Sequence, residues 1–193
     1  MNRLLLVRHA EAIPGDLDAT LTDLGRRQAE ALARRLKEWS FDVAWSSDLL
    51  RAKETGDMIL QGRDTPRLQL AAALREVEIP LEVRDAGVQS DQYIDWEKDT
   101  VRDVAQSLSK WLREAKQSQN KRKCTMLVVS HGGPLRVLLC LLLGLPPEMH
   151  WSFRLDHASI TIVERADDIG TITLLNDRCH LREVTGRDKP RDR

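Results

Sequence analysis

The chain has 193 residues, a length that suits one compact domain with a sizeable core. Its 30 Lys and Arg residues balance 30 Asp and Glu residues, which argues against a nucleic-acid binder that depends on bulk positive charge. The longest apolar stretch, Val137–Leu145, is too short to span a bilayer, so a membrane partner is not expected either. We predict a single domain over residues 1–185 and a frayed polar tail over residues 186–193.

The cysteines predict a reducing compartment. Cys124, Cys140 and Cys179 are an odd number without paired spacing, and two of them lie in apolar segments typical of buried thiols. A strand is already predicted by the third residue, so no signal peptide is recognisable. We therefore expect a cytoplasmic protein.

The first predicted strand ends in two cationic or basic side chains. The run Leu4–Val7 within a strand near 3–8 is typical of a buried strand of a parallel sheet, and Arg8 and His9 follow it directly. In open α/β sheets, ligands bind just beyond the carboxyl ends of strands. Arg8 and His9 are therefore candidates for an anion site.

The next elements repeat this arrangement. After a predicted helix from about Asp23 to Trp39, a short strand near 42–45 leads into Ser46–Asp48, which has good N-cap chemistry. A helix over Leu49–Leu60 should follow, with Arg51 in its first turn. Its guanidinium could donate two hydrogen bonds to phosphate oxygens.

Residues 79–97 have no clear period and are predicted to be a lid or pocket wall. Val101 opens the cleanest helical stripe of the chain, which continues to Leu112. The next buried strand, near 124–130, ends at His131. Gly132 and Gly133 follow, and glycines let the backbone approach a ligand closely.

A buried helix is predicted to begin with Pro134 at its first position. The free N–H groups and positive dipole end of that helix would face an anion. Strands near 159–164 and 171–176 would form a hairpin at the edge of the sheet. The alternation of strands and helices predicts an α/β fold whose mostly parallel sheet has helices on both faces.

Several segments, in the same order, resemble the histidine phosphatase superfamily, also called phosphoglycerate-mutase-like, and in particular its bacterial phosphatase branch with α-ribazole phosphatases. The matching segments are residues 6–9, 21–29, 46–52, 74–76, 128–133, 156–161 and 175–181. The resemblance implies a three-layer α/β/α sandwich with an antiparallel strand at the edge of a mostly parallel sheet. It also implies a metal-independent enzyme without a cofactor.

The resemblance implies a role for each candidate residue. His9 would be the nucleophile, and a neutral imidazole suits that role near neutral pH. Arg8, Arg51 and His131 would surround the phosphate, with the backbone N–H of Gly132 as a further donor. Glu76 matches the position of the acid that protonates the leaving group.

The segment after Glu76 departs from the family pattern. Residues 77–83 lack the glycine- and tryptophan-containing run of many members, so Glu78 is an alternative acid. The departure also predicts a different wall for the substrate pocket. The natural substrate and the oligomeric state are not predicted.

The favoured function is a phosphomonoesterase that hydrolyses small phosphate monoesters through a phosphohistidine. A mutase-type phosphotransferase is an alternative, although mutases of the family have longer chains. A non-catalytic phosphate-binding regulatory module is another. A metal-dependent hydrolase built on His9, His131 and Glu76 is a third, but the chain has no close metal-ligand motif.

The remaining histidines, His150, His157 and His180, are predicted to be structural or surface residues, although His157 could line the pocket. The five tryptophans are dispersed along the chain and are predicted to be packing anchors.

Overall fold

The computed structural model describes residues 2–64, 66–77, 91–117, 124–165 and 169–185. The strands among these residues are β1 (Asn2–Arg8), β2 (Val43–Ser46), β3 (Leu68–Leu70), β4 (Thr125–Ser130), β5 (Ile160–Arg165) and β6 (Gly170–Asp177). The α-helices are α1 (Asp23–Arg35), α2 (Leu50–Leu60), α3 (Asp91–Gln117), α4 (Gly132–Leu143) and α5 (Arg182–Thr185). Short 3₁₀ turns lie at Ala72–Leu74, Pro147–Ser152 and Cys179–Leu181.

The strands form one sheet in the order β3-β2-β4-β1-β5-β6. The strands from β3 to β1 run parallel, whereas β5 is antiparallel to β1 and β6 is antiparallel to β5. This confirms the predicted mostly parallel sheet with an antiparallel edge hairpin. The strands near 3–8, 42–45, 124–130, 159–164 and 171–176 were each predicted within one residue of their ends.

Two apolar cores lie on opposite faces of the sheet. Because side chains alternate along a strand, Leu4 and Leu6 of β1 join one core while Leu5 and Val7 join the other. The first core packs against α3 and α4, and the second against α1 and α2. Helices thus cover both faces, which gives the predicted three layers.

Helix α1 ends at Arg35 rather than near Trp39. The guanidinium of Arg63 donates to the backbone oxygens of Leu36 (2.6 Å) and Trp39 (2.5 Å), in the turn that follows the helix. The same guanidinium lies 5.2 Å from the ring centre of Phe41. A side chain from beyond the end of α2 therefore stabilises the non-helical segment after α1, and periodicity alone could not indicate this.

Three further features of the fold differ from the prediction or add to it. Residues 91–97, predicted to be an aperiodic lid or pocket wall, belong to α3, and two of them, Trp96 and Glu97, do line a cavity; residues 79–90 lie outside the described residues. Pro134 is the third residue of α4, which begins at Gly132. Strand β3 was not predicted, because its three residues are largely exposed and carry no buried apolar run.

Within the described residues Cys124, Cys140 and Cys179 form no disulfide; the first two are buried and the third is exposed. Among the described residues, every helix falls short of the length and apolar character that crossing a membrane requires. The predicted tail, residues 186–193, lies outside the described part of the chain, and the extent of the domain stays a prediction.

Candidate active site

The carboxyl ends of β1, β4 and β2 meet at one edge of the sheet. In the parallel register Arg8 pairs with Ser130, and Ser46 pairs with Val129. The residues that follow these strands are therefore neighbours, and the His9 N–H donates to the Ser130 carbonyl at 2.9 Å. The ring centres of His9 and His131 lie 5.0 Å apart. The structure thus brings together His9 and His131, each of which follows a predicted strand.

The imidazole of His9 is buried and held in one tautomer. Its Nδ1 lies 2.7 Å from the Ala10 carbonyl, to which it can only donate, so the proton is on Nδ1. Its Nε2 accepts a hydrogen bond from Nε of Arg51 at 3.2 Å. Burial, then the proximity of His131, lowers the pKa of His9 to about 2. His9 is therefore a neutral imidazole with its lone pair on Nε2.

Two hydrogen bonds of Thr55 connect α2 to the backbone after β1 and position Arg51. Thr55 Oγ1 donates to the Arg51 carbonyl at 2.7 Å and accepts from the Ala10 N–H at 3.1 Å. The guanidinium also donates from Nη1 to the Leu17 carbonyl. Burial lowers the pKa of Arg51, although a guanidinium remains charged. A fixed positive charge therefore lies against the His9 lone pair.

The amino end of α2 is capped differently from the prediction. Leu49 is the capping residue and its side chain makes no cap. The Leu50 N–H instead donates to Asp18 Oδ1 at 2.7 Å, from a distant loop. Ser47, part of the predicted cap, accepts the Leu49 N–H at 3.2 Å. The helix that carries Arg51 is thus held at its start by the loop before α1.

His131 is fully buried and bonded to Ser47. The distance from its Nε2 to Ser47 Oγ is 2.9 Å. That hydroxyl can accept the Leu49 N–H and still donate to Nε2, and in this arrangement the His131 proton lies on Nδ1. Burial, then the charges of Arg51 and Arg8, lowers the pKa of His131 to about 3.

The hydrogen bonds of Arg8 bring a third histidine, His157, to the site. Its Nη1 donates to the Leu155 carbonyl at 2.7 Å, and its Nη2 donates to Nε2 of His157 at 3.0 Å. The ring of His157 lies 5.1 Å from that of His9, and burial, then Arg8, lowers the pKa of His157 to about 4. Of the two predicted places for His157, the structure favours the pocket lining over the protein surface, because its ring lies beside Arg8 and His9.

The turn that delivers His157 is tied to the end of β1. The Ala158 N–H lies 3.1 Å from the carbonyls of both Arg8 and His9, and Ala158 adopts a positive φ of 54°. The only sequence signal that His157 belongs to the site is the family resemblance of the segment 156–161. Its approach to His9 depends on the antiparallel pairing of β5 with β1, which local pattern does not reveal.

Glu76 lies at the amino end of α4. Ser130 Oγ donates to the Leu74 carbonyl at 2.6 Å and so brings the segment to the end of β4. Gly133 N–H lies 3.4 Å from Glu76 Oε2, a long hydrogen bond. A Cβ on Gly133 would fall 2.5 Å from Oε1, so glycine is required for this approach. Glu78, the alternative acid, lies outside the described residues.

Two buried nitrogens at the site have no hydrogen-bond partner within the described residues: Arg8 Nε, which is a donor, and His131 Nδ1, which is a donor in the tautomer with Nε2 bonded to the Ser47 hydroxyl proton. A Cβ on Gly132 would lie 3.5 Å from the Arg8 guanidinium carbon, so this backbone passes close to the first of them. Buried donors are rarely left unbonded in proteins. The arrangement is suited to an anion with several oxygens, held between arginines and neutral imidazoles.

A sheet edge that gathers arginines and neutral imidazoles is suited to bind a phosphate group. Residues 4–178 match the family model of the histidine phosphatase superfamily (branch 1). The putative phosphoserine phosphatase 2 of Hydrogenobacter thermophilus is 30% identical, over 96% of this chain and 100% of its own. The adenosylcobalamin/α-ribazole phosphatase of Escherichia coli is 27% identical, over 91% and 96% respectively.

The crystal structure of the α-ribazole phosphatase from Shigella flexneri superposes with a TM-score of 0.75 at 28% identity, covering 91% of this chain and 96% of the other. The chain belongs to the histidine phosphatase superfamily, and it is a phosphatase of that family. The predictions of family, fold and enzyme class are thereby confirmed.

Proposed function

We propose that this phosphatase hydrolyses small phosphate monoesters in two steps through a phosphohistidine on Nε2 of His9. The observation that carries the proposal is the hydrogen bonding of that imidazole. Its Nδ1 proton is committed to the Ala10 carbonyl, and its Nε2 lone pair points at the charged Arg51. A neutral ring with a directed lone pair, next to a phosphate-binding cation, is what attack on phosphorus requires.

Arg8, Arg51, His131 and Gly132 would bind the phosphoryl group. The unbonded donors Arg8 Nε and His131 Nδ1 would gain phosphate oxygens as acceptors. As phosphate enters, Arg51 would exchange its bond to His9 for bonds to oxygen, which frees Nε2 to react. Positioning and charge stabilisation of this kind supply most of the catalysis in phosphoryl transfer.

Glu76 would act as the acid and then as the base. In the first step the bond from Nε2 to phosphorus forms, the ester P–O bond breaks, and the Glu76 proton passes to the leaving oxygen. In the second step Glu76 takes a proton from water, the oxygen of which attacks phosphorus, and the P–N bond breaks. The products are alcohol and inorganic phosphate, with His9 and protonated Glu76 restored.

The alternatives are weaker on specific grounds. A mutase must keep water away from its phosphohistidine. The relatives named above are phosphatases, which favours hydrolysis for this chain. A non-catalytic module would have no need to hold a carboxylate at the start of α4, as Gly133 does for Glu76. A metal-dependent mechanism would place a cation between the charges of Arg8 and Arg51, which repel it.

A cytoplasmic location remains part of the proposal and is supported by the three cysteines, which form no disulfide in the part of the chain that the structure describes. A small phosphorylated molecule is the proposed partner. Binding to nucleic acid is not proposed.

The first test is phosphate release from p-nitrophenyl phosphate across about pH 5 to 8 with a chelator present. We expect activity in the wild type, inhibition by vanadate, and loss of at least about 10³-fold in His9→Ala, since the nucleophile is removed. His180→Gln is the control, because among the described residues the His180 ring bonds a backbone carbonyl, that of Ala158, and no side chain of the phosphate site. Full activity in His9→Ala would refute the mechanism.

The acid is tested separately. Glu76→Gln keeps the shape of the side chain but cannot give a proton, so radiolabelled phosphohistidine should form slowly and persist. Glu78→Gln is the control. A larger loss of turnover in Glu78→Gln than in Glu76→Gln would move the acid role to Glu78.

A further inference from the structure

A cavity of about 320 Å³ is lined by Glu76, and its lining does not include His9, His131 or His157. This volume is within the range of sites that bury small organic ligands, roughly 300–1,000 Å³. Glu76 and Gly133 line the cavity, and they are also the pair whose contact places the carboxylate at α4. The cavity therefore begins where the proposed acid meets the leaving oxygen.

The position of Glu76 determines which part of a substrate would occupy this space. Under the function proposed above, the phosphoryl group lies among His9, Arg8 and Arg51. The acid must then contact the oxygen on the opposite side of the phosphorus from His9. The carbon skeleton attached to that oxygen extends past Glu76 into the cavity.

The wall of the cavity is mostly apolar. Its aliphatic part comes from Val77, Val101, Val104, Pro134 and Val137. The indoles of Trp96 and Trp151 add aromatic surface, and Trp151 is 59% exposed. The prediction that the tryptophans are only packing anchors is therefore incomplete for these two. An apolar wall with aromatic rings favours a leaving group that has apolar or aromatic area to bury.

The charged side chains Glu97 and Arg136 of the wall both contact Trp151. The Trp151 Nε1–H donates to Glu97, and His150 Nε2 lies 3.6 Å from the same carboxylate. The Arg136 guanidinium lies 4.1 Å from the ring centre of Trp151. Burial, then the charge of Arg136, lowers the pKa of His150, so this imidazole is neutral at pH 7. These pairings are poorly matched to the adjacent ammonium and carboxylate of a phosphoserine.

We propose that this cavity binds the leaving group, and that the enzyme prefers phosphate monoesters of bulky, largely apolar alcohols that carry an aromatic ring over esters of small polar alcohols. The proposal rests on the function proposed above, and it names the substrate class of that site. Trp151, Trp96 and the valines are its specificity-determining residues.

The test compares esters whose leaving alcohols have similar acidity but different apolar size. Ethyl phosphate, phosphoserine and 2-(1-naphthyl)ethyl phosphate are all primary alkyl esters, so differences in kcat/KM report binding of the leaving group. Burial of the naphthyl ring should raise kcat/KM about 100-fold over ethyl phosphate. Phosphoserine should be no better than ethyl phosphate.

Two variants of helix α3 localise the effect. Thr100→Trp fills the cavity, since Thr100 lines it, and should lower the ratio of naphthylethyl to ethyl phosphate turnover at least about tenfold. Ser107→Trp puts the same residue on an exposed part of the helix away from the cavity, and the ratio should keep its wild-type value. Equal ratios in the two variants would overturn the proposal.

Binding to His9→Ala, measured by calorimetry, separates this proposal from the mechanism. A naphthylethyl ester that binds at least about tenfold more tightly than ethyl phosphate supports the cavity assignment whether or not the wild type turns over. Equal binding of the two esters overturns it. Selective binding by a wild type that hydrolyses none of the esters would overturn the proposed hydrolysis and leave the cavity assignment standing.

Discussion

The hydroxyl of Ser47 offers the sharpest test of how the histidine cluster is organised. Ser47→Ala removes the donor to His131 Nε2, so the proton of that imidazole is no longer held on Nδ1. We expect kcat/KM to fall at least tenfold. If His131 no longer donates to phosphate, a charge-assisted hydrogen bond worth about 1.5–3 kcal/mol is lost, which corresponds to roughly 10- to 150-fold.

The neighbouring serine is a matched control. Ser46 is as fully buried as Ser47, but its hydroxyl donates to the Ser47 carbonyl at 2.8 Å and does not contact His131. Either alanine substitution should cost about 1–3 kcal/mol of unfolding free energy for each buried hydrogen bond that it breaks, one in Ser46→Ala and two in Ser47→Ala. Only Ser47→Ala should change catalysis by tenfold or more, and Ser47→Thr, which keeps a hydroxyl, should restore much of it.

The assay measures kcat and KM for p-nitrophenyl phosphate across about pH 5 to 8, with thermal unfolding of the same preparations. A purely structural role for Ser47 predicts equal losses in Ser46→Ala and Ser47→Ala once both are folded. That outcome, or full activity in Ser47→Ala, would refute the reasoning about the tautomer.

Two further perturbations follow from the geometry of the site. Gly133→Ala should lower kcat at least about tenfold with the fold retained, because its Cβ would lie 2.5 Å from Glu76 Oε1. Gly132→Ala, whose Cβ would lie at an ordinary 3.5 Å from Arg8, should lose less, and the reverse order in steady-state assays would contradict this. The free energy of unfolding should fall as pH drops below about 6.5, since unfolded histidines gain protons there while His9 and His131, with pKa values of about 2 and 3, remain neutral when folded. Each contributes up to about 1.4 kcal/mol per pH unit, so urea unfolding at successive pH values should give a flatter slope in a variant with both replaced by Gln.

The sequence indicates the site because neighbouring parallel strands end at the same edge. Arg8, His9 and His131 each come at or after the end of a buried apolar run. Arg51 lies in the first turn of the helix that follows another predicted strand. Once β1, β4 and β2 are adjacent, these residues must converge, and the structure places them together. Pattern in the chain was sufficient because short loops leave these side chains little freedom to lie elsewhere.

Other features of the site depend on contacts that no local pattern encodes. His157 reaches Arg8 only through the pairing of β5 with β1 and the positive φ of Ala158. Glu76 was suggested by family resemblance alone, since its position depends on a bond between Ser130 and a backbone oxygen. The cap of α2 comes from Asp18, far away in sequence, so the serines before the helix were assigned the wrong role.

The two hydrogen bonds of Arg51 affect which anions the enzyme admits. Before substrate arrives, this guanidinium is shared between the His9 lone pair and the Leu17 carbonyl. Binding is therefore an exchange of partners, and an anion must attract Arg51 more strongly than two neutral acceptors do. A doubly charged phosphate meets that requirement, whereas a sulfate ester or a carboxylate, with a single charge, gains far less from the exchange. Discrimination by charge is thus set by the bonds of the resting protein, before any part of the leaving group is recognised.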